Sequence, residues 1–407
     1  MKTRRDFLHC AAAVSAAIAL GAAGAAMAAD APTKIRIGWT ISKTGPNAPG
    51  AAVTQLPNYE MWVKEVNAAG GIMLKSIGKR VPIEVVEYDD RSSSEEAVRA
   101  IERLITQDKV DFVLPPWGTG LNLAVGPTFN KYHYPQIACT SVTDRAPELA
   151  KRWPNAFFLL GTSSSYAEAL MGQLEALHKA GKIGNRVAMV SVADGFGIDL
   201  SGAARKVAAK HGLNLVYDKS YPLGTQDMTP ILNEVKGLNV DAFVAFSYPP
   251  DTLTLTDQAR IAGFNPKVFY TGVGTAFGLF KERFKNNVDG VMGIGGVNFD
   301  SPAIKDYFKR HVASAGREPD RWASSICYAG LQVLQQAIER VGKIDRAAVV
   351  AEMKKDTFNT VVGPMDLHTQ MYEHNWLVGQ WQHGEFYGIA PARAGAHQAV
   401  VPKPAWK

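Results

Sequence analysis

Cysteine is scarce in this chain. Three occur in 407 residues and none stands in a C-x-x-C spacing, so neither a disulfide scaffold nor a thiolate metal centre organises the fold. Cys139 and Cys327, isolated in sequence, read as buried thiols. Also absent are H-E-x-x-H, a nucleophile elbow and any close grouping of the nine histidines, which removes the usual signatures of zinc and serine hydrolases. Gly195-x-Gly197 and Gly272-x-Gly274 follow apolar runs, but neither completes G-x-G-x-x-G. A nucleotide-dependent enzyme therefore ranks last among the functions compatible with the chain. No block of Lys and Arg interleaved with aromatics marks a nucleic-acid surface. Beyond the amino terminus no apolar run is long enough to cross a membrane. With no catalytic set and no metal or cofactor motif, the chain reads as a non-enzyme without a cofactor.

What is present begins with a leader. Arg4-Arg5, then Phe7-Leu8 and a run rich in Ala and Gly, have the layout of a twin-arginine export signal over residues 1–28, with small residues at 26–28 for cleavage. The run is too weakly hydrophobic to read as a span, and Cys10 follows His9 rather than a small residue, which argues against a lipid anchor. The expectation is a soluble periplasmic protein with no stable membrane insertion once the leader is removed. The net charge is +6, and three cations and one acid of the leader leave +4 for the rest. The roughly 379 residues beyond position 28 suit two domains of ordinary size.

Apolar runs then alternate with helical patterns. Strands are expected at 34–40, 81–88, 110–114 and 136–139, with helices at 53–69, 95–107 and 121–131 between them. Residues 110–114 are apolar without alternation, the mark of a strand covered on both faces. Pro115-Pro116 stop it, and Trp117-Gly118-Thr119-Gly120 lead into the next helix, a place where open α/β sheets bind ligands. The rhythm restarts at 156–160 and runs through strands at 186–192, 213–220, 242–247 and 267–271. Three helices follow at 304–315, 323–341 and 346–354, and then a hairpin tail over 360–387 with turns at Gly363-Pro364 and His383-Gly384.

Six segments together resemble one family. They are 37–50 with Thr44-Gly45-Pro46, 137–149 with Ala146-Pro147-Glu148-Leu149, Asp194-Gly195-Phe196-Gly197, Gln258 to Gly263, Tyr328 to Gln332, and Val361-Val362-Gly363-Pro364. In this order and spacing the chain resembles the periplasmic substrate-binding proteins of ABC importers, in the branched-chain amino acid (Leu/Ile/Val-binding) branch. The resemblance implies the type I binding fold: α/β, with two Rossmann-like lobes, parallel-rich sheets and three hinge crossovers near 157–161, 294–298 and 359–368. Lobe 1 would comprise 33–157 and 298–359, lobe 2 would comprise 161–294 and 366–390, and 391–407 would form a tail. It implies a small-molecule ligand and, as partners, the membrane subunits of an ABC permease. A ligand-sensing periplasmic receptor is the alternative that uses the same fold.

In such a family the ligand carboxylate is held by hydroxyls and backbone N–H groups after the third and fourth strands. Here those loops carry Trp117, Gly118 and Thr119, and then Thr140, Ser141 and Thr143. The facing loop, where amino-acid binders place an acid for the α-ammonium, reads Gly272-Val273-Gly274-Thr275 and has no carboxylate, so Val273 and Gly274 are candidate contacts for an acid that need not carry an amine. Phe196 and Tyr248, with Trp117, supply more ring surface than a small aliphatic side chain needs, which suits a flat or aromatic acid.

Overall fold

A computed structural model describes residues 31–407. The leader read at 1–28 lies outside the described residues. The chain opens with β1 (Ile35–Ile41), α1 (Ala48–Thr54), α2 (Leu56–Ala68), β2 (Ile72–Leu74), β3 (Lys79–Val81), β4 (Ile83–Asp89), α3 (Ser94–Thr106), β5 (Phe112–Leu114), α4 (Thr119–Lys131), β6 (Gln136–Ala138), α5 (Ala146–Arg152) and β7 (Ala156–Phe158). β1 lies between β4 and β5, parallel to both, with Ile37 opposite Val85 and Phe112. β6 and β7 pair in parallel as a separate ladder beside β5. The next elements are α6 (Ser163–Lys179), β8 (Arg186–Val192), α7 (Gly195–Lys210), β9 (Asn214–Tyr221), α8 (Thr229–Lys236), β10 (Ala242–Phe246), α9 (Pro249–Ile261), β11 (Val268–Thr271), α10 (Gly278–Phe284) and β12 (Met292–Ile294). The chain ends with α11 (Pro302–Ala315), α12 (Ala323–Val341), α13 (Arg346–Met353), β13 (Thr357–Thr360), β14 (Gly363–Asp366), β15 (Val378–Gln382) and β16 (Glu385–Ala390).

The second sheet has seven strands in the order β16-β15-β12-β11-β10-β8-β9. Its centre is parallel, and β15 and β16 close one edge antiparallel. All five residues of β10, Ala-Phe-Val-Ala-Phe, are buried, because helices cover both faces of a parallel sheet and no side needs polar residues. Helix ends follow from local chemistry. Ser93 caps α3 by accepting from the Glu96 N–H, with Glu95 and Glu96 in the first turn and Arg103 in the last. After β12 the chain returns to the first sheet, where α12 packs on α1, α2 and β2.

Several local expectations are corrected. The helix read over 53–69 is two, α1 and α2, broken at Gln55, whose side-chain amide bonds the Pro115 carbonyl at 2.7 Å. The hairpin β2–β3 falls in a stretch too short and mixed to show a period. The strand at 156–160 does not begin the second sheet: it pairs with β6 and so belongs beside the first. Gly363-Pro364 is not a turn but the start of β14, a strand paired only with β13, which can tolerate a residue lacking an N–H.

Candidate functional site

The carboxyl end of β5 is built by its two prolines. They stop the ladder and leave carbonyls that side chains must satisfy. The Pro115 carbonyl accepts from Gln55 and from the Tyr59 hydroxyl at 2.7 and 2.9 Å, and the Pro116 carbonyl accepts from Asn122 at 2.8 Å. Trp117 is thereby held with its indole over α1, so close that a Cβ on Gly50 would lie 2.2 Å from Trp117 Cζ2. Gly118 then takes φ +94°, which an L side chain rarely adopts, and turns its N–H onto Thr140 Oγ1 at 3.0 Å. Thr119 opens α4 and accepts from the Val142 N–H at 3.0 Å, tying the two loops together. No side chain caps the start of α4, so its first N–H groups point outward from the positive end of the helix dipole.

Facing these loops are the carboxyl ends of β8, β10 and β11. Asp194 caps α7 by accepting from the Phe196 and Gly197 N–H groups at 3.1 and 3.0 Å, and its other oxygen accepts from the Tyr248 hydroxyl at 2.8 Å. Burial raises the Asp194 carboxyl above the ordinary range, and the bonds from Gly197, Tyr248 and Phe196 pull it back. The Tyr248 hydroxyl is held well above the ordinary phenol range by burial first and by the Asp194 charge second. The Tyr248 ring stacks on Phe196, with centroids 5.1 Å apart and planes 18° apart, and packs against Trp117, also at 5.1 Å. Two helix starts meet across the gap, since a Cβ on Gly195 would lie 3.4 Å from the Gly120 Cα. The Thr143 hydroxyl donates to Asp199 on α7.

Seven of the ten candidate residues line one cavity: Trp117, Gly118, Thr119, Thr140, Phe196, Tyr248 and Val273. Ser141, Thr143 and Gly274 are not in that lining. Ser141 is fully buried, Thr143 is engaged with Asp199, and Gly274 lies behind, in a small apolar pocket with Pro249 and Phe277. The remaining walls are Thr54, Val142, Leu160, Trp322 and Ala323. Trp322 sits on a turn that Asp320 fixes by accepting from the Trp322 and Ser324 N–H groups, and its indole N–H donates to the Tyr166 hydroxyl at 3.0 Å. No motif announces it, because it reaches the cavity only once α12 folds back onto the first sheet.

Two properties define what this cavity can do. Its lining has no ionised side chain, so a bound charge would be met by hydroxyls, helix N–H groups and ring edges. Its volume is about 10 Å³, room for about one water. A larger molecule enters only if the facing loops part or the rings move. Among the described residues no group of three or more His, Cys, Asp or Glu could hold a metal ion.

The family described as periplasmic binding protein matches residues 34–385. A curated relative, the Leu/Ile/Val-binding protein homolog 7 of Brucella abortus, is 22% identical over 363 residues, covering 84% of this chain and 88% of that protein. Among solved structures, the branched-chain amino acid transporter substrate-binding protein from Streptococcus pneumoniae, in complex with isoleucine, superposes with a TM-score of 0.75 at 21% identity, over 91% of this chain and 100% of that one. A solute-binding protein of an ABC transporter from R. palustris, in complex with benzoate, gives a TM-score of 0.75 at 19% identity, over 90% and 99%. At these identities the structural likenesses speak to the fold.

Proposed function

The chain belongs to the periplasmic binding protein family, and from that membership we propose that it is the exported, extracytoplasmic solute-binding component of an ABC importer. In this reading it captures a small carboxylate-bearing molecule with a flat or aromatic body and presents its closed form to a membrane permease. The two lobes are 33–157 with 298–359 and 161–294 with 366–390, and closure brings Trp117, Thr119 and Thr140 against Phe196, Tyr248 and Val273. The carrying observation is the cavity itself: Phe196 stacked on Tyr248, Trp117 tilted against the same ring, an uncapped helix start and three threonines, Thr54, Thr119 and Thr140, with no acid in the lining. A carboxylate suits the N–H groups and hydroxyls, since hydrogen bonds to an ionised acceptor are stronger than neutral ones. An α-ammonium finds no carboxylate in the lining, and Asp194, behind the Tyr248 hydroxyl, is already engaged by that hydroxyl and two N–H groups. The ligands in those two solved structures, isoleucine and benzoate, bracket the two ligand classes, and the missing acid favours the second.

Calorimetry with matched pairs tests this. Phenylalanine is compared with 3-phenylpropanoate, leucine with 4-methylpentanoate, and benzoate is titrated beside them. The des-amino acids or benzoate should bind at least as tightly as the amino acids. Much tighter binding of leucine or phenylalanine would mean that an ammonium partner exists and would overturn the ligand class.

A further inference from the structure

A second and larger cavity, of about 360 Å³, lies where the chain passes between its two sheets. Its walls come from the segment after β12 (Gly296 to Asn298), the start of α11, the β13–β14 turn and the stretch before β15. Trp322 forms a wall of both this cavity and the smaller one. Much of the lining is apolar or aromatic, including Val297, Ile304, Ile326 and Trp376, and one ionised side chain, Arg393, stands among it.

Arg393 is unusually placed for a structural arginine. Its guanidinium lies 3.8 Å from the centroid of the Trp376 ring and donates one hydrogen bond, to the His374 carbonyl at 3.1 Å. No carboxylate of the lining faces it. Burial lowers its pKa, the direction expected of a charge with too little compensation. Asn375, only 4% exposed, is a second unfinished group in the same wall. Its amide nitrogen donates to the Leu159 and Tyr372 carbonyls at 2.9 and 3.2 Å, while its Oδ1 has no partner. Buried polar groups are normally paired, so the open Asn375 Oδ1 marks a place for another molecule, and the half-buried Arg393 guanidinium in the same lining presents charged donors to it.

We propose that this cavity is a second small-molecule site, which takes a carboxylate with an apolar or aromatic body. The acid group bonds the open edge of the Arg393 guanidinium, the body lies among Val297, Ile304, Ile326 and Trp376, and a donor on the ligand satisfies Asn375 Oδ1. The guanidinium fork matches a carboxylate bidentately, and the Trp376 ring beneath it holds the plane in place. The two cavities share Trp322 alone among their lining residues.

The probe is 4-bromobenzoate, whose bromine can be located by anomalous scattering in crystals of the protein and whose carboxylate suits the guanidinium. A bromine peak is expected in this cavity, separately from any peak between Trp117 and Phe196. Arg393→Gln should abolish it, and calorimetry in solution should show that site weakened about tenfold or more, as for loss of a charged hydrogen-bond partner. Ala303→Trp, at the mouth on the first turn of α11, should also block it while leaving Arg393 in place. Melting temperatures of both variants report that the fold is intact. No peak in this cavity, whether or not the smaller one is occupied, would overturn the proposal, as would a peak that survives Arg393→Gln.

Discussion

Tyr248 is fixed from three directions: stacked on Phe196, packed by Trp117 and hydrogen-bonded to Asp194. If it is a wall of the ligand site, Tyr248→Ala should weaken binding by about 1 to 3 kcal/mol, as a central aromatic contact does. Tyr248→Phe keeps the ring and should cost less, and calorimetry on the two variants separates ring from hydroxyl. A different residue governs stability against pH. Lys403 is 3% exposed, and its ammonium donates to the Pro404 carbonyl at 2.6 Å and lies 3.3 Å from the Trp406 ring centroid, yet burial outweighs these contacts and pushes its pKa down to about 7. Between that value and the ordinary lysine pKa near 10.4, the unfolded chain holds a proton that the fold sheds, so stability rises with pH across the window and is flat from this group below it. Melting at pH 7 and pH 9 should show a gain of up to about 2 kcal/mol, and Lys403→Met should remove it. Neither Tyr248's bond to Asp194 nor the burial of Lys403 is legible in sequence, because each depends on chain that is distant in order and near in space.

At the scale of elements, the apolar periods placed most strands and helices within a few residues, since burial imposes those periods directly. α12 was expected at 323–341 and is found at Ala323–Val341, ending at Gly342 with φ +75°, a left-handed stop that its glycine makes easy. The break at Gln55 was missed because a hydrogen bond to Pro115, sixty residues on, decides it. The loop from β5 to α4 makes its own prediction. Gly118→Ala forces a side chain into φ +94°, so the variant should lose about 1 to 2 kcal/mol, read as a lower melting temperature. Its Cβ would be 3.7 Å from the Tyr248 hydroxyl, an ordinary contact, so the loss comes from backbone strain rather than from a clash.

For the whole molecule, the small volume between the facing loops requires movement on ligand entry. Small-angle scattering should therefore show a larger radius of gyration without ligand than with a saturating, calorimetrically verified one, and an unchanged radius would remove the hinge from the mechanism. The sequence by itself determined the α/β alternation, the parallel-rich sheets, the family and the loops in which the candidate residues lie, because periodicity, proline stops and glycine turns are local and chemistry enforces them over a few residues. Only the tertiary structure decided which of those residues share one cavity. It left Ser141, Thr143 and Gly274 out of the lining and brought in Trp322 and Thr54. It also decided that Arg393 in the tail stands beside Trp376. A shared cavity is made by segments hundreds of residues apart converging across two sheets, and no local period encodes that convergence.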